Sequence, residues 1–154
     1  MKKWKKEILI NAPIEYVWQF FYGDLHKKKM IFPKVIDENI IKQTDQVVGT
    51  VITQTYQNGS LNEQYELTIK KYKNEQNYKS YQESFLLNDR FRMTIEYELE
   101  NQNETSTKFI YTSINKPKNI LLSIFQLFGN SDVVDRFMSR TKEKIETAYK
   151  NEEA

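Results

Sequence analysis

The chain of 154 residues carries 23 basic against 21 acidic side chains, a formal charge of +2, and no cysteine. Disulfides, thiolate metal sites and cysteine nucleophiles are excluded together, and the composition suits a reducing compartment. The basic runs, Lys2 to Lys6 around Trp4 and Lys27 to Lys29, fall short of the clustered excess of a nucleic-acid binder, so no nucleic acid is expected as a partner.

The length predicts a single domain over 1–154. At the N-terminus only Ile8 to Ile10 follow the lysines as an apolar run, far short of a secretory core of about 7–15 residues. The longest apolar segment, Ile120 to Phe128, is interrupted by Ser123 and Gln126 and falls below the roughly 20 residues that span a bilayer. A soluble, cytoplasmic protein is expected. Frequent lysine, asparagine and isoleucine suggest an AT-rich bacterial genome.

Lys3 to Ile10 alternates Trp4, Lys6, Ile8 and Ile10 against Lys5, Glu7 and Leu9, which predicts an edge strand guarded by lysines. Asn11-Ala12-Pro13 then opens a short helix, with Ile14, Val17, Trp18 and Phe21 on one face and Gly23 at its end. A second short helix from Asp24 to about Ile31 stops before Phe32-Pro33.

From Val35 to Asn115 the period changes to that of strands. Val35 to Gln43 is followed by a turn at Val48-Gly49 and a strand from Thr50 to Gln57. Asn58-Gly59 then signals a hairpin. The strand Leu61 to Tyr72 places Leu61, Glu63, Tyr65, Leu67 and Ile69 on one face. Tyr78 to Leu87 leads to a turn at Asn88-Asp89. Phe91, Met93, Ile95, Tyr97 and Leu99 alternate with polar residues, and Thr105 to Ile114 places Thr107, Phe109 and Tyr111 together. Short connections of this kind predict an antiparallel meander with one wet face. After Lys116-Pro117 the helical period returns. Val134, Phe137, Met138, Thr141, Ile145, Ala148 and Tyr149 form one face of a long terminal helix, separated by Gly129-Asn130 from the apolar segment before it.

The stretch Ile10-Asn11-Ala12-Pro13-Ile14-Glu15-Tyr16-Val17-Trp18-Gln19-Phe20, with Asp24 and Phe32-Pro33 beyond it, resembles the entry to the first helices in the START-like superfamily. That superfamily includes polyketide cyclases, lipid-transfer domains and the birch-pollen-allergen group. The resemblance implies an α+β helix-grip fold, in which a curved antiparallel sheet of about seven strands wraps a long C-terminal helix. It also implies a cavity between the two. Transferred to this chain, the cavity would be lined from the sheet by Tyr65, Leu67, Ile95, Tyr97, Phe109 and Tyr111, and from the helix by Phe137, Met138 and Thr141.

Ten tyrosines suit a pocket that orients an amphipathic ligand, although tyrosine also packs well on any sheet. The single histidine, His26, would border the cavity mouth by the same resemblance and is a candidate base or ligand contact. Glu63 shares a face with Tyr65 and Leu67, so it is a buried carboxylate if that face turns inward, or reaches water near the hairpin; Glu83, between Tyr81 and Phe85, raises the same question. No G-x-S-x-G, histidine pair or glycine-rich phosphate loop occurs, so no metal and no cofactor are expected. The apolar segment within 117–128 reads as a lid that touches membranes transiently, as a partner-protein surface, or as packed core. The expected function is binding or transport of a small hydrophobic or amphipathic molecule. The alternatives are an enzyme of the polyketide cyclase or hydrolase type, and an interaction module of the chaperone-activator type.

Overall fold

The computed structural model describes residues 3–87, 91–114 and 131–153. Its elements run β1 (Lys3–Ile10), α1 (Ile14–Trp18), α2 (Leu25–Ile31), β2 (Val35–Lys42), β3 (Val51–Asn58), β4 (Leu61–Asn74), β5 (Tyr78–Leu87), β6 (Phe91–Asn103), β7 (Ser106–Ile114) and α3 (Ser131–Glu153). All seven strands form one antiparallel sheet in the order β1-β7-β6-β5-β4-β3-β2. β1 and β2 are therefore its two edges, and α1 with α2 carries the chain from one edge to the other. This is the helix-grip order that the N-terminal stretch implied. The turn expected at Asn88-Asp89, the break at Gly129-Asn130 and the segment 117–128 lie outside the described residues.

Helix α1 ends at Trp18, earlier than its periodicity suggests. Beyond it Phe20 donates to the Val17 carbonyl and Phe21 to that of Trp18, three residues back in each case. Phe20 and Phe21 of this tighter turn are both fully buried in the core. Gly23 follows at φ +133, a conformation that side chains with a Cβ rarely adopt. Asp24 caps α2, its Oδ1 accepting from the His26 amide at 2.9 Å.

The β3–β4 hairpin turns one residue later than the Asn-Gly signal suggests. Asn58 still pairs with Leu61, leaving Gly59, at φ +63, and Ser60 at the tip. β4 carries a register shift between Ile69 and Lys71, which moves its inward face from odd to even positions. Tyr72 thereby joins the concave side, directly opposite Tyr81.

Helix α3 buries Val134, Phe137, Met138, Thr141 and Ile145 and packs Ala148 and Tyr149 against the core. It is also stitched to the β1 edge. Lys142 Nζ donates to the Leu9 carbonyl at 2.9 Å, Glu146 Oε2 accepts from the Asn11 amide at 2.7 Å, and Lys6 pairs with Asp135 at 3.4 Å. These bonds occupy backbone groups beside an edge that would otherwise be open to pairing.

Candidate functional site

Registers across the sheet convert scattered tyrosines into a row. Tyr72, Tyr81, Tyr97 and Tyr111 lie opposite one another on β4, β5, β6 and β7. The Tyr81 and Tyr97 rings are 5.0 Å apart and those of Tyr97 and Tyr111 5.9 Å. Aromatic rings cover this row: Trp18 lies 6.0 Å and Tyr22 5.5 Å from Tyr81, Phe32 5.8 Å from Tyr97, and Phe137 of α3 6.0 Å from Tyr111. One step along the strands, the next row reads Ile69, Glu83, Ile95 and Ser113. A single carboxylate thus stands in an apolar band beside the tyrosine row.

Glu83 is 8% exposed. Burial pushes its carboxyl up to about 7 from an ordinary 4.5; Lys28 opposes the shift, Glu38 adds to it, and the Tyr97 hydroxyl opposes it again. The influence is mutual. Tyr56, Tyr65, Tyr81, Tyr97 and Tyr111, one on each strand from β3 to β7, all resist ionisation chiefly through burial and further through the charge of Glu83.

A second polar line leads from α2 across the sheet. Lys28 Nζ reaches Glu38 Oε2 at 2.9 Å, the Gln54 amide donates to the same oxygen at 2.7 Å, and the Tyr65 hydroxyl donates to Gln54 Oε1 at 3.1 Å. Tyr65 also stacks on Phe85, centroids 5.4 Å apart. Lys28 and Glu38 are largely withdrawn from water, so their pairing offsets a desolvation cost that neither would bear alone.

Five other buried hydroxyls, those of Tyr81, Tyr111, Ser113 and Thr141 and that of Tyr16 on α1, have no hydrogen-bond partner among the described residues. Ser113 lies beside Tyr111 and tempers the rise of its pKa without reaching hydrogen-bond geometry. Ser113 and Tyr111 share the concave face of β7, while Thr141 belongs to the buried face of α3. A buried hydroxyl left unmatched costs roughly 1–3 kcal/mol.

Leu67, Ile95, Tyr97, Phe109, Tyr111, Phe137, Met138 and Thr141 are all buried among the sheet's concave side chains and α3, and Tyr65 is partly buried beside them. Glu63 is half-buried near the start of β4, two residues from Leu61, which is 65% exposed. His26 is exposed on α2 and contributes its backbone amide to the Asp24 cap. The deeply buried acid is Glu83. Lys28, Glu38, Gln54, Tyr56 and Tyr81 also belong to these surroundings, although the residue pattern did not single them out. Two signals were available: Glu83 sits between two apolar aromatics in an alternating strand, and Lys28 lies three residues from both Leu25 and Ile31. Among the described residues no three histidine, aspartate or glutamate side chains converge to hold a metal ion. Nor is any helix among them long and apolar enough to cross a membrane.

No protein-family model and no curated protein matches the chain by sequence. Its likeness to solved structures is one of fold. Major latex-like protein 151 from Panax ginseng superposes with a TM-score of 0.64 at 13% identity, over 96% of either chain. Zhui aromatase/cyclase from Streptomyces sp. R1128 gives 0.64 at 12% identity, over 99% of this chain and 96% of that one. Human STARD10 gives 0.69 at 14% identity, over 93% of this chain and 62% of that one. The START-like fold is thus shared with a major latex-like protein, an aromatase/cyclase and STARD10 alike.

Proposed function

We propose that the protein binds a small hydrophobic or amphipathic molecule between the concave sheet and α3, as a single domain over 1–154 acting in the cytoplasm. The observation that carries this reading is the set of unmatched hydroxyls of Tyr81, Tyr111, Ser113 and Thr141 within an otherwise apolar interface. A packed structural core matches its buried polar groups internally. A binding site keeps a few of them for its ligand, set in apolar walls. Leu67, Ile95, Phe109, Phe137 and Met138 supply such walls, and Tyr65 with Tyr97 supplies polar tips.

Native mass spectrometry of gently purified protein tests this reading. The expected result is an adduct of small-molecule mass that is lost on denaturation. A bare protein that also takes up no added amphiphile would contradict it.

A second reading, an acid–base enzyme of the cyclase type, is favoured by one observation. Glu83, held near 7 beside tyrosine hydroxyls, has the proton affinity of a general acid or base at neutral pH. Under this reading the adduct changes mass on incubation with the native protein and stays unchanged with Glu83→Gln. An unchanged mass in both removes it.

A further inference from the structure

We propose that the band around Glu83 receives a positively charged amine or ammonium group of the bound molecule, so that the ligand class is a cationic amphiphile. This inference rests on the ligand-binding reading above.

The charges facing the concave side are unequal. Lys28 is engaged with Glu38, whose oxygen also accepts from Gln54. No lysine or arginine among the described residues forms an ion pair with Glu83. Two carboxylates therefore share one ammonium, and the excess negative charge belongs to the more buried of them. Around it stand the phenols of Tyr56, Tyr65, Tyr81, Tyr97 and Tyr111, each resisting ionisation; Lys28, shared with Glu38, offsets the charge only in part, and Arg140 of α3 acts on Tyr56 without pairing with Glu83.

The Tyr81 hydroxyl is an independent pointer. It is buried, it feels Glu83 before any other charge, and it has no hydrogen-bond partner among the described residues. A cation placed here would meet a carboxylate, an unmatched phenolic oxygen and tyrosine rings, all of which favour positive charge, beside a Lys28 ammonium that lies 6.0 Å from the centre of the Tyr81 ring and is held by Glu38. An anionic head group would meet Glu83 and Glu38 together and be repelled. A neutral one would leave the excess charge unmatched.

The test compares decyltrimethylammonium, decanol and decanoate, three probes with the same chain, by calorimetric titration below their micellar concentrations. The wild-type protein is expected to bind the ammonium probe about tenfold more tightly than decanol near pH 8, a difference of about 1.4 kcal/mol. Because that probe carries no titrating group, its affinity should fall about tenfold towards pH 6 as Glu83 takes up its proton. Glu83→Gln should bring the ammonium probe and decanol to within about twofold and abolish the pH dependence. If the variant fails to fold, the pH profile of the wild-type protein decides alone.

Decanol or decanoate binding as tightly as the ammonium probe overturns the cation site and leaves the ligand-binding reading standing. A preference that survives Glu83→Gln, or a flat pH profile, also overturns it. Failure of all three probes to bind overturns both readings.

Discussion

Two parts of the same concave face follow opposite rules. Towards α1 and α2, the tyrosine row lies under Trp18, Tyr22 and Phe32, ring against ring, and buries a large aromatic area. One row further along the strands, Glu83 interrupts an apolar band, Lys28 and Glu38 are drawn out of water, and hydroxyls of Ser113 and Thr141 stand unmatched. The first region contributes stability. The second lowers it, since buried charge and unmatched polar atoms are costly. The proposed site lies where the two regions meet, with Glu83 on one side and the unmatched hydroxyls of Tyr81 and Tyr111 on the other.

Trp18→Ala should give the largest effect, a loss of about 3–5 kcal/mol, because Trp18 is 6% exposed and touches three tyrosine rings. Denaturant unfolding measures it; an unchanged midpoint would show that the packed region does not stabilise the fold.

Glu83→Gln should act in the opposite direction and depend on pH. The native protein holds the Glu83 proton more tightly than the unfolded chain does, with the carboxyl pushed up to about 7 from 4.5. Its contribution to stability is therefore full below about pH 4.5, declines as the pH rises, and is lost above about 7. The difference amounts to about 3 kcal/mol. The glutamine variant should match the wild type near pH 4 and exceed it by up to that amount near pH 8. Lys28→Met, which removes the cation opposing the shift, should move the decline to higher pH. Unfolding curves across this range check both variants, and identical profiles for Glu83→Gln and wild type would show that the carboxylate bears no burial cost.

The smallest effect belongs outside both regions. Lys108 pairs with Glu100 at 3.4 Å, on a solvent-facing part of the sheet where both side chains keep about a third of their surface in water. Lys108→Ala should change stability by no more than about 1 kcal/mol. A larger loss would mean that the outer face also carries the fold.

Much of the architecture was legible because period and burial agree. Met93, Ile95, Tyr97 and Leu99 alternate and are buried as written, and the face of α3 from Val134 to Ile145 is the one that packs. Glu63 and Glu83 show where such legibility ends. Both alternate with apolar or aromatic neighbours in sequence, but Glu63 is close to the exposed β3–β4 hairpin, whereas Glu83 is in the middle of a strand paired on both sides. Local alternation describes them alike; only the register of neighbouring strands separates them. The row of four tyrosines was equally hidden. It depends on the shift between Ile69 and Lys71, which nothing in the local pattern announces. Lys28 was masked by its charge, since it occupies an apolar spacing within a lysine run.

The most direct test of the ligand site is a map of backbone amide chemical shifts as decanol is added to the labelled protein. Perturbations are expected to concentrate at Ile95, Ser113, Met138 and Thr141, on the facing surfaces of sheet and helix. Perturbations confined to the exposed Ile40 and Ile41 of the β2 edge, or none at all, would contradict a ligand site between sheet and helix.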